Sequence, residues 1–414
     1  MLLLQMIIEV DMMNYEPLGK LYYKEHERYE EICAARYHEP DTMHLNFDIH
    51  GNPAFLVSRA ELWERMLEIQ RLNTVVVRLR GQLPGIALEQ FTNRCLVDEI
   101  VLTNDIEGVS STRREIHDVL EKLQSKKDQK PKRFLGLTKQ YLRLRAGDTI
   151  PLKTCQDLRT LYDELVLPEV LEEDPADRPD GRYFRKEAVS VMSPSQKVLH
   201  QGVQPESKII SAMDQALAFL NDMSVEPLLR VSAFHYLFGY IHPFYNGNGR
   251  LSRFISSYFL SKDLDPIVSY RLSYTIKENI RAYYNAFKVC NDRRNKGDIT
   301  PFVLTFLEII AEAMRQLTEA LQRRSMDLNY YDAFLRKDSF FAEDRQRYPI
   351  AYLLLQGTLF SHEGISTKEL EQFSHLSYMT LKKRLDDMAQ HGYLLIQSSG
   401  REKQYRLHLE RLEK

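Results

Sequence analysis

Residues 242–253 read HPFYNGNGRLSR, placing one imidazole, two Asn-Gly pairs and two arginines three apart within a dozen positions. Upstream, LLRVSAFHYLFGYI is nearly all apolar, which predicts a buried helix ending near Ile241; downstream, LSRFISSYFL opens another helix. The stretch is therefore a loop between two helices. Within it, Gly247, Asn248 and Gly249 can present backbone N–H groups without interference from Cβ atoms. Those donors join the positive end of the following helix dipole to make an anion nest. Arg250 and Arg253, one helical turn apart, fall on one face and can clamp further phosphates. The spacing suits a di- or triphosphate.

His242 stands at the other end of the loop. An unperturbed imidazole pKa of about 6.5 leaves it mostly neutral at physiological pH, suited to act as general base on an incoming hydroxyl. Phe244 would pack beneath and fix the loop. A lone Gly-Asn-Gly is weak evidence, and a lone His before Pro is more often a helix-end residue. Taken together the residues are specific.

The rest of the chain sets limits on what the loop can serve. At 414 residues it exceeds one ordinary domain, and its 43% hydrophobic and 28% charged composition is that of a soluble globular protein. A net charge of −2 argues against binding nucleic acid over the whole surface and leaves room for a local basic patch. Cys33, Cys95, Cys155 and Cys290 are scattered without CxxC or metal-type spacing, which indicates reduced core thiols rather than zinc or a disulfide framework. The opening MLLLQMIIEVDMM lacks a basic leader and a cleavage site and predicts a buried strand; no stretch approaches the roughly 20 apolar residues of a membrane span. A cytoplasmic location and no membrane partner are expected. The other histidines, His235 included, lack metal-ligand spacing and read as structural.

Along the chain, residues 1–84 form an α/β lead-in and a helix over ELWERMLEIQRLNTVVVRLR with Ser58 as N-cap. Helical patterns follow near 86–104, 111–124, 133–145, 154–165, 207–222, 226–241, 249–261, 275–293 and 300–323. They are interrupted at 181–200, where alternation around Val189 and Val191 and the turn-like SPSQ predict a hairpin. After a helical linker at 326–346, the segment 347–414 spells a winged helix-turn-helix: a helix, the capped STKELEQF, YMTLKKRLDDMAQH closed by Gly392, and a hairpin across SSGREK. The expected class is mainly α, a helical core over 85–325 with a β-hairpin, plus that C-terminal domain.

HPFYNGNGRLSR resembles the motif of the Fic family, HxFx[D/E]GNGRxxR, at every defining place except Asn246. The flanking helices and hairpin resemble the family layout over about 85–320. The resemblance implies an enzyme that transfers AMP from ATP to a Ser, Thr or Tyr hydroxyl of another protein, with Mg²⁺ or Mn²⁺. It makes His242 the base, Asn248 and the neighbouring Gly247 and Gly249 amides the α-phosphate cradle, and Arg250 and Arg253 the contacts to the outer phosphates. Gly247 favours AMP transfer over a kinase-like relative with lysine near that place. It implies that the hairpin is a flap holding the target segment by strand addition, where an ordinary structural hairpin is the other reading. Tyr283 and Tyr284 are implied to stack on adenine, or are core aromatics.

Residues 103–108, TNDIEG, resemble the family's inhibitory motif, [S/T]xxxE[G/N], on a helix spanning about 95–108. The resemblance makes Glu107 a lock, paired with Arg253 so that ATP binds only unproductively, with Thr103 and Gly108 as the other motif places. By itself the stretch reads as a helix end capped by Gly108. In some relatives the same glutamate orients a water that removes AMP. Asn246 stands where the family carries a metal-binding Asp or Glu; it keeps an oxygen ligand and loses the charge, which predicts weaker metal retention and slower transfer. A rival reading is a degenerate scaffold acting as a DNA-binding regulator through Lys382, Lys383, Arg384, Arg401 and Lys403, although Asp386, Asp387 and Glu402 dilute that face and a protein partner or homodimer also fits.

Overall fold

The computed structural model describes residues 15–124, 133–192, 198–399 and 402–413. The opening apolar run, the SPSQ turn and Arg401 lie outside the described residues. Two compact units divide the chain, one taking the chain up to Arg71 and Asp98–Met314, the other Leu72–Val97 and Arg315 onward. All three divisions fall within helices, where composition marks nothing. Position 84 lies between two helices, 325 inside a long one and 346 in the turn before another.

The first unit opens with α1 (Leu18–Lys24), α2 (Tyr29–His38) and an antiparallel hairpin of β1 (Met43–Ile49) and β2 (Asn52–Leu56). This lead-in is tied to later chain: Tyr15 Oη donates to Asp298 (2.6 Å), Phe55 N–H to Gly297 O (3.0 Å) and Val57 N–H to Thr300 Oγ1 (2.9 Å). Next comes α3 (Ala60–Gln82), which starts past Ser58, because the Ser58 hydroxyl accepts from the Trp63 indole rather than from a helix N–H.

The helices that frame the loop follow: α4 (Gly85–Ile106), α5 (Arg113–Gln124), α6 (Leu135–Ala146), α7 (Cys155–Leu165), α8 (Leu167–Glu173), α9 (Glu206–Leu220), α10 (Pro227–Ile241) and α11 (Asn248–Asp263). Thr154 caps α7 in a reciprocal box with Asp157. Helix α8 has no counterpart in the sequence reading, since Pro168 looks like a breaker; it sits at the helix start, where no N–H is needed. All of α10 except Pro227 and Gly239 is buried, as its unbroken apolar run requires. Between α8 and α9 stands the expected hairpin, β3 (Ser190–Met192) against β4 (Val198–Gln201), pairing Ser190 with Gln201 and Val191 with His200.

One expected helix is two. The pattern over 275–293 divides into α12 (Leu272–Glu278) and α13 (Ile280–Cys290) at Asn279, whose side-chain amide donates to Thr275 O (3.0 Å) and competes with the helical ladder. Helix α14 (Thr300–Lys337) runs well beyond 323. The four cysteines are buried and none is in a disulfide, and among the described residues no helix is long and apolar enough to cross a membrane.

In the second unit α15 (Ser339–Ala342) leads to α16 (Arg347–Phe360), β5 (Ile365–Ser366), α17 (Thr367–Ser374), α18 (Tyr378–Gln390), β6 (Leu394–Ser399), β7 (Glu402–Leu407) and α19 (Leu409–Leu412). The three strands form an antiparallel sheet in the order β5-β7-β6. Ser366 and Glu369 box the start of α17, as the STKE spacing predicts. The first turns of α4 join this unit through Ala87 N–H to Gln356 Oε1 (3.2 Å) and Gln90 Nε2 to Glu369 Oε1 (2.6 Å).

Candidate active site

The loop between α10 and α11 is held open by its own side chains. His242 ends α10 in a left-handed conformation (φ 49°), unusual for a residue with a Cβ, which turns the chain out of the helix. Phe244 is fully buried, stacked on Tyr162 with centroids 3.7 Å apart and meeting Phe184 edge-on. Asn248 closes the loop from inside: its Oδ1 accepts from Phe244 N–H (3.0 Å) and its Nδ2 donates to Phe244 O (2.8 Å). That side chain is thus spent on loop geometry, so a contact from position 248 to a phosphate falls to the backbone N–H. Gly247, at φ 79°, caps α11 and directs the next amides outward along the helix axis.

Arg185 anchors the base of this loop, and nothing in RYFRKE marks it in the sequence. Fully buried, its guanidinium donates to His242 O (2.9 Å), Val203 O (2.9 Å) and Glu187 O (2.7 Å), while its own N–H donates to Pro243 O (3.2 Å). One side chain therefore ties the histidine's backbone to both stems of the β3-β4 hairpin. Arg185→Met keeps the buried volume and strands three carbonyls, so it is expected to destabilise the fold by roughly 2 kcal/mol, seen as a lower urea midpoint with unchanged slope.

The His242 pKa is pushed down to about 4, chiefly by burial and against the pull of the nearby Glu107 carboxylate. A neutral imidazole next to an anion nest can take a proton. His235 is a core residue, as its spacing suggests: its ring nitrogens meet Ser256 Oγ (2.8 Å) and Tyr283 Oη (2.7 Å). Tyr283 is consequently buried in an aromatic cluster with Phe287 and Phe302 and is a core aromatic rather than a stacking platform; Tyr284 beside it is half-buried.

The two arginines leave α11 for different partners. Arg250 is fully buried, with Nη1 3.1 Å from Glu169 Oε2 on α8, and its Nε and Nη2 have no partner among the described residues. Burial raises the Glu169 pKa to about 7, Arg250 opposing the rise. Arg253 donates from Nε to Thr103 Oγ1 (2.8 Å) and from Nη2 to Thr103 O (2.9 Å) and Glu107 Oε1 (2.9 Å). Burial opposes its charge, yet the Glu107 carboxylate holds its pKa above the ordinary value. A methyl group on Gly249 would collide with the Glu107 carboxylate, so Glu107 lies directly against the nest.

Glu107 reaches that place because α4 ends at Ile106 and Gly108 follows at φ 76°, with Val109 N–H turned back onto Asn104 O (2.9 Å). Deeper in the helix, fully buried Glu99 accepts from Ser273 N–H (2.8 Å), Ser273 Oγ (2.6 Å) and Tyr141 Oη (3.1 Å), and Asp105 pairs with Lys277 (2.8 Å). Neither anchor is visible in the sequence, because their partners are far along the chain.

Residues 153–260 match the Fic/DOC family model. A Fic family protein of known structure from Desulfovibrio desulfuricans G20 superposes over 84% of this chain and 96% of its own, with TM-score 0.50 and 19% identity. Fic-1 (aa134–508) from C. elegans aligns over 77% of this chain and 93% of its own at TM-score 0.43 and 16% identity. A Fic domain containing signaling protein from Bacteroides thetaiotaomicron covers 62% and 97% at TM-score 0.39 and 15% identity. The histidine, the capped nest and the matched segment coincide on the same helices: residues 153–260 match the Fic/DOC family model, and the loop lies within them.

Proposed function

We propose that the protein is a protein adenylyltransferase, moving AMP from ATP to a Ser, Thr or Tyr hydroxyl of a target protein. The observation that carries this reading is His242, held neutral and fixed by its backbone at the edge of a helix-capped anion nest. The α-phosphate would sit on the Asn248 and Gly249 amides, since Gly247 N–H is taken by Asn246 Oδ1. His242 takes the target's hydroxyl proton as its oxygen bonds to the α-phosphorus, and the bond between that phosphorus and the α,β-bridging oxygen breaks to release pyrophosphate. The β3-β4 hairpin, stapled to His242 through Arg185, would present the target segment by strand addition.

A divalent ion fits the donor chemistry. The Asn246 side-chain oxygen faces the nest, accepting from Gly247 N–H (2.6 Å), and phosphate oxygens would supply most of the ion's shell. Bound Mg²⁺ or Mn²⁺ would neutralise charge gathering on the leaving pyrophosphate.

The Arg253–Glu107 pair supports autoinhibition, since the guanidinium suited to an outer phosphate is already occupied. Removal of AMP would be a hydrolysis at the same site: a water oriented by Glu107 bonds to the α-phosphorus, the bond from that phosphorus to the target's oxygen breaks, and AMP and the free hydroxyl leave. Incubating the protein with α-labelled ATP and Mg²⁺ or Mn²⁺, alone and with cell extract, tests the reading. Label should appear in Glu107→Gly and vanish when His242→Ala is added; silence in every variant, Asn246→Asp included, removes it.

The alternative of a DNA-binding regulator draws less support. Arg384 on α18 is paired with Asp344 (2.7 Å), which leaves Lys382, Lys383 and Lys403 as the exposed cations of that face among the described residues. With so few phosphate contacts, mobility-shift affinity should fall only shallowly with salt.

A further inference from the structure

We infer that Asp177 supplies the negative charge that Asn246 lacks, as the protein's carboxylate ligand to the divalent cation carried by the bound nucleotide. The proposal rests on the nucleotide reading above and adds the ligand that the loop itself does not hold. Asp177 closes a short 3₁₀ turn, Pro175–Asp177, on the segment joining α8 to the hairpin. That turn is fixed by Asp174, whose side chain accepts from Ala176 N–H (2.9 Å) and whose carbonyl accepts from Asp177 N–H (3.1 Å). From there Asp177 Oδ2 accepts from Asn246 Nδ2 at 3.2 Å.

Asn246 is itself immobilised. Its Oδ1 accepts from Gly247 N–H and its backbone carbonyl from Tyr162 Oη (3.1 Å). The side chain thus bridges the nest to one outside carboxylate. The other carboxylates near the nest are committed: Glu107 to Arg253 and Glu169 to Arg250. Asp177 is half-buried and has no cationic partner among the described residues. A hard cation such as Mg²⁺ takes one or two carboxylates and completes its shell with phosphate oxygens and water. Asp177 would supply the carboxylate of such a set, and the Asn246 amide N–H holds that carboxylate in place at the edge of the nest.

The test measures metal retention rather than turnover, on the full chain with Glu107→Gly so that nucleotide can reach Arg253. With α,β-methylene-ATP, whose α–β link cannot be cleaved, free Mn²⁺ is titrated from its EPR signal. Asp177→Asn, which keeps an acceptor for Asn246, is expected to weaken Mn²⁺ by about tenfold or more, since even at the dielectric of water one unit charge about 4 Å from a divalent ion is worth more than a factor of ten. Asp177→Asn combined with Asn246→Asp should restore it, showing that the first variant is folded and that charge is what was lost. Mn²⁺ affinity within twofold of the parent in Asp177→Asn overturns the assignment. Failure of every variant to bind the nucleotide analogue, with or without Mn²⁺, overturns the nucleotide reading and the assignment together.

Discussion

His242→Ala, made in the Glu107→Gly background where transfer is measurable, is expected to lower AMP transfer by about 10²–10⁴-fold, the range for a positioned general base. The residue does its work through a proton it does not carry. Half-buried at the end of α10, with desolvation pushing its pKa down to about 4, the imidazole is unprotonated throughout the physiological range. The transfer rate should therefore be flat from about pH 6 to 8, in place of the sigmoid centred near 6.5 that a solvated histidine gives. Initial rates of labelling across that range check it, and an inflection near 6.5 would show the base to be solvated or elsewhere. Nucleotide affinity should change little in the variant, since the loop is held by Phe244, Asn248 and Arg185 rather than by the ring.

The same burial makes stability acid-sensitive. The pKa values of His242 and His200 are each pushed down to about 4 and that of His235 to about 3, all chiefly by burial. In the unfolded chain these rings titrate near 6.5, so as pH falls the unfolded state takes protons first. Their contribution is whole above about pH 7 and is lost as pH falls from 6.5 towards 4. Urea midpoints should drop steeply over that window, by several kcal/mol in all.

Much of this was legible in the residues. HPFYNGNGRLSR gave the loop between two helices and the helix start behind a left-handed glycine, because both depend on local chemistry. The Glu107–Arg253 pair, 146 positions apart, was legible only through a resemblance, since nothing in TNDIEG points at Arg253. Arg185, Glu99 and Asp177 were not legible at all. Each acts on a partner that folding brings near, and in sequence each is an ordinary charge beside another charged residue. Tyr283 shows the converse: its spacing allowed an exposed role, and only its bond to buried His235 places it in the core.

Glu107→Gly is expected to raise AMP transfer about thirtyfold while lowering the thermal midpoint, two effects of opposite sign from one lost contact. On the proposed reading an outer phosphate would have to displace the carboxylate from Arg253, so the ion pair would oppose productive binding. Breaking a fully buried pair costs about 3–5 kcal/mol, but Glu107 is 22% exposed and Arg253 keeps both bonds to Thr103, so about 2 kcal/mol is the fitting scale. At about 1.4 kcal/mol per tenfold, that is about thirtyfold in affinity for the productive pose. Without nucleotide the same loss leaves Arg253 buried with its charge unmet, which should lower the midpoint by several degrees. ATP replaces the missing anion, so it should raise the midpoint more in the variant than in the parent. Equal ATP shifts and equal labelling in the two proteins would mean that Glu107 holds the helix end and nothing more.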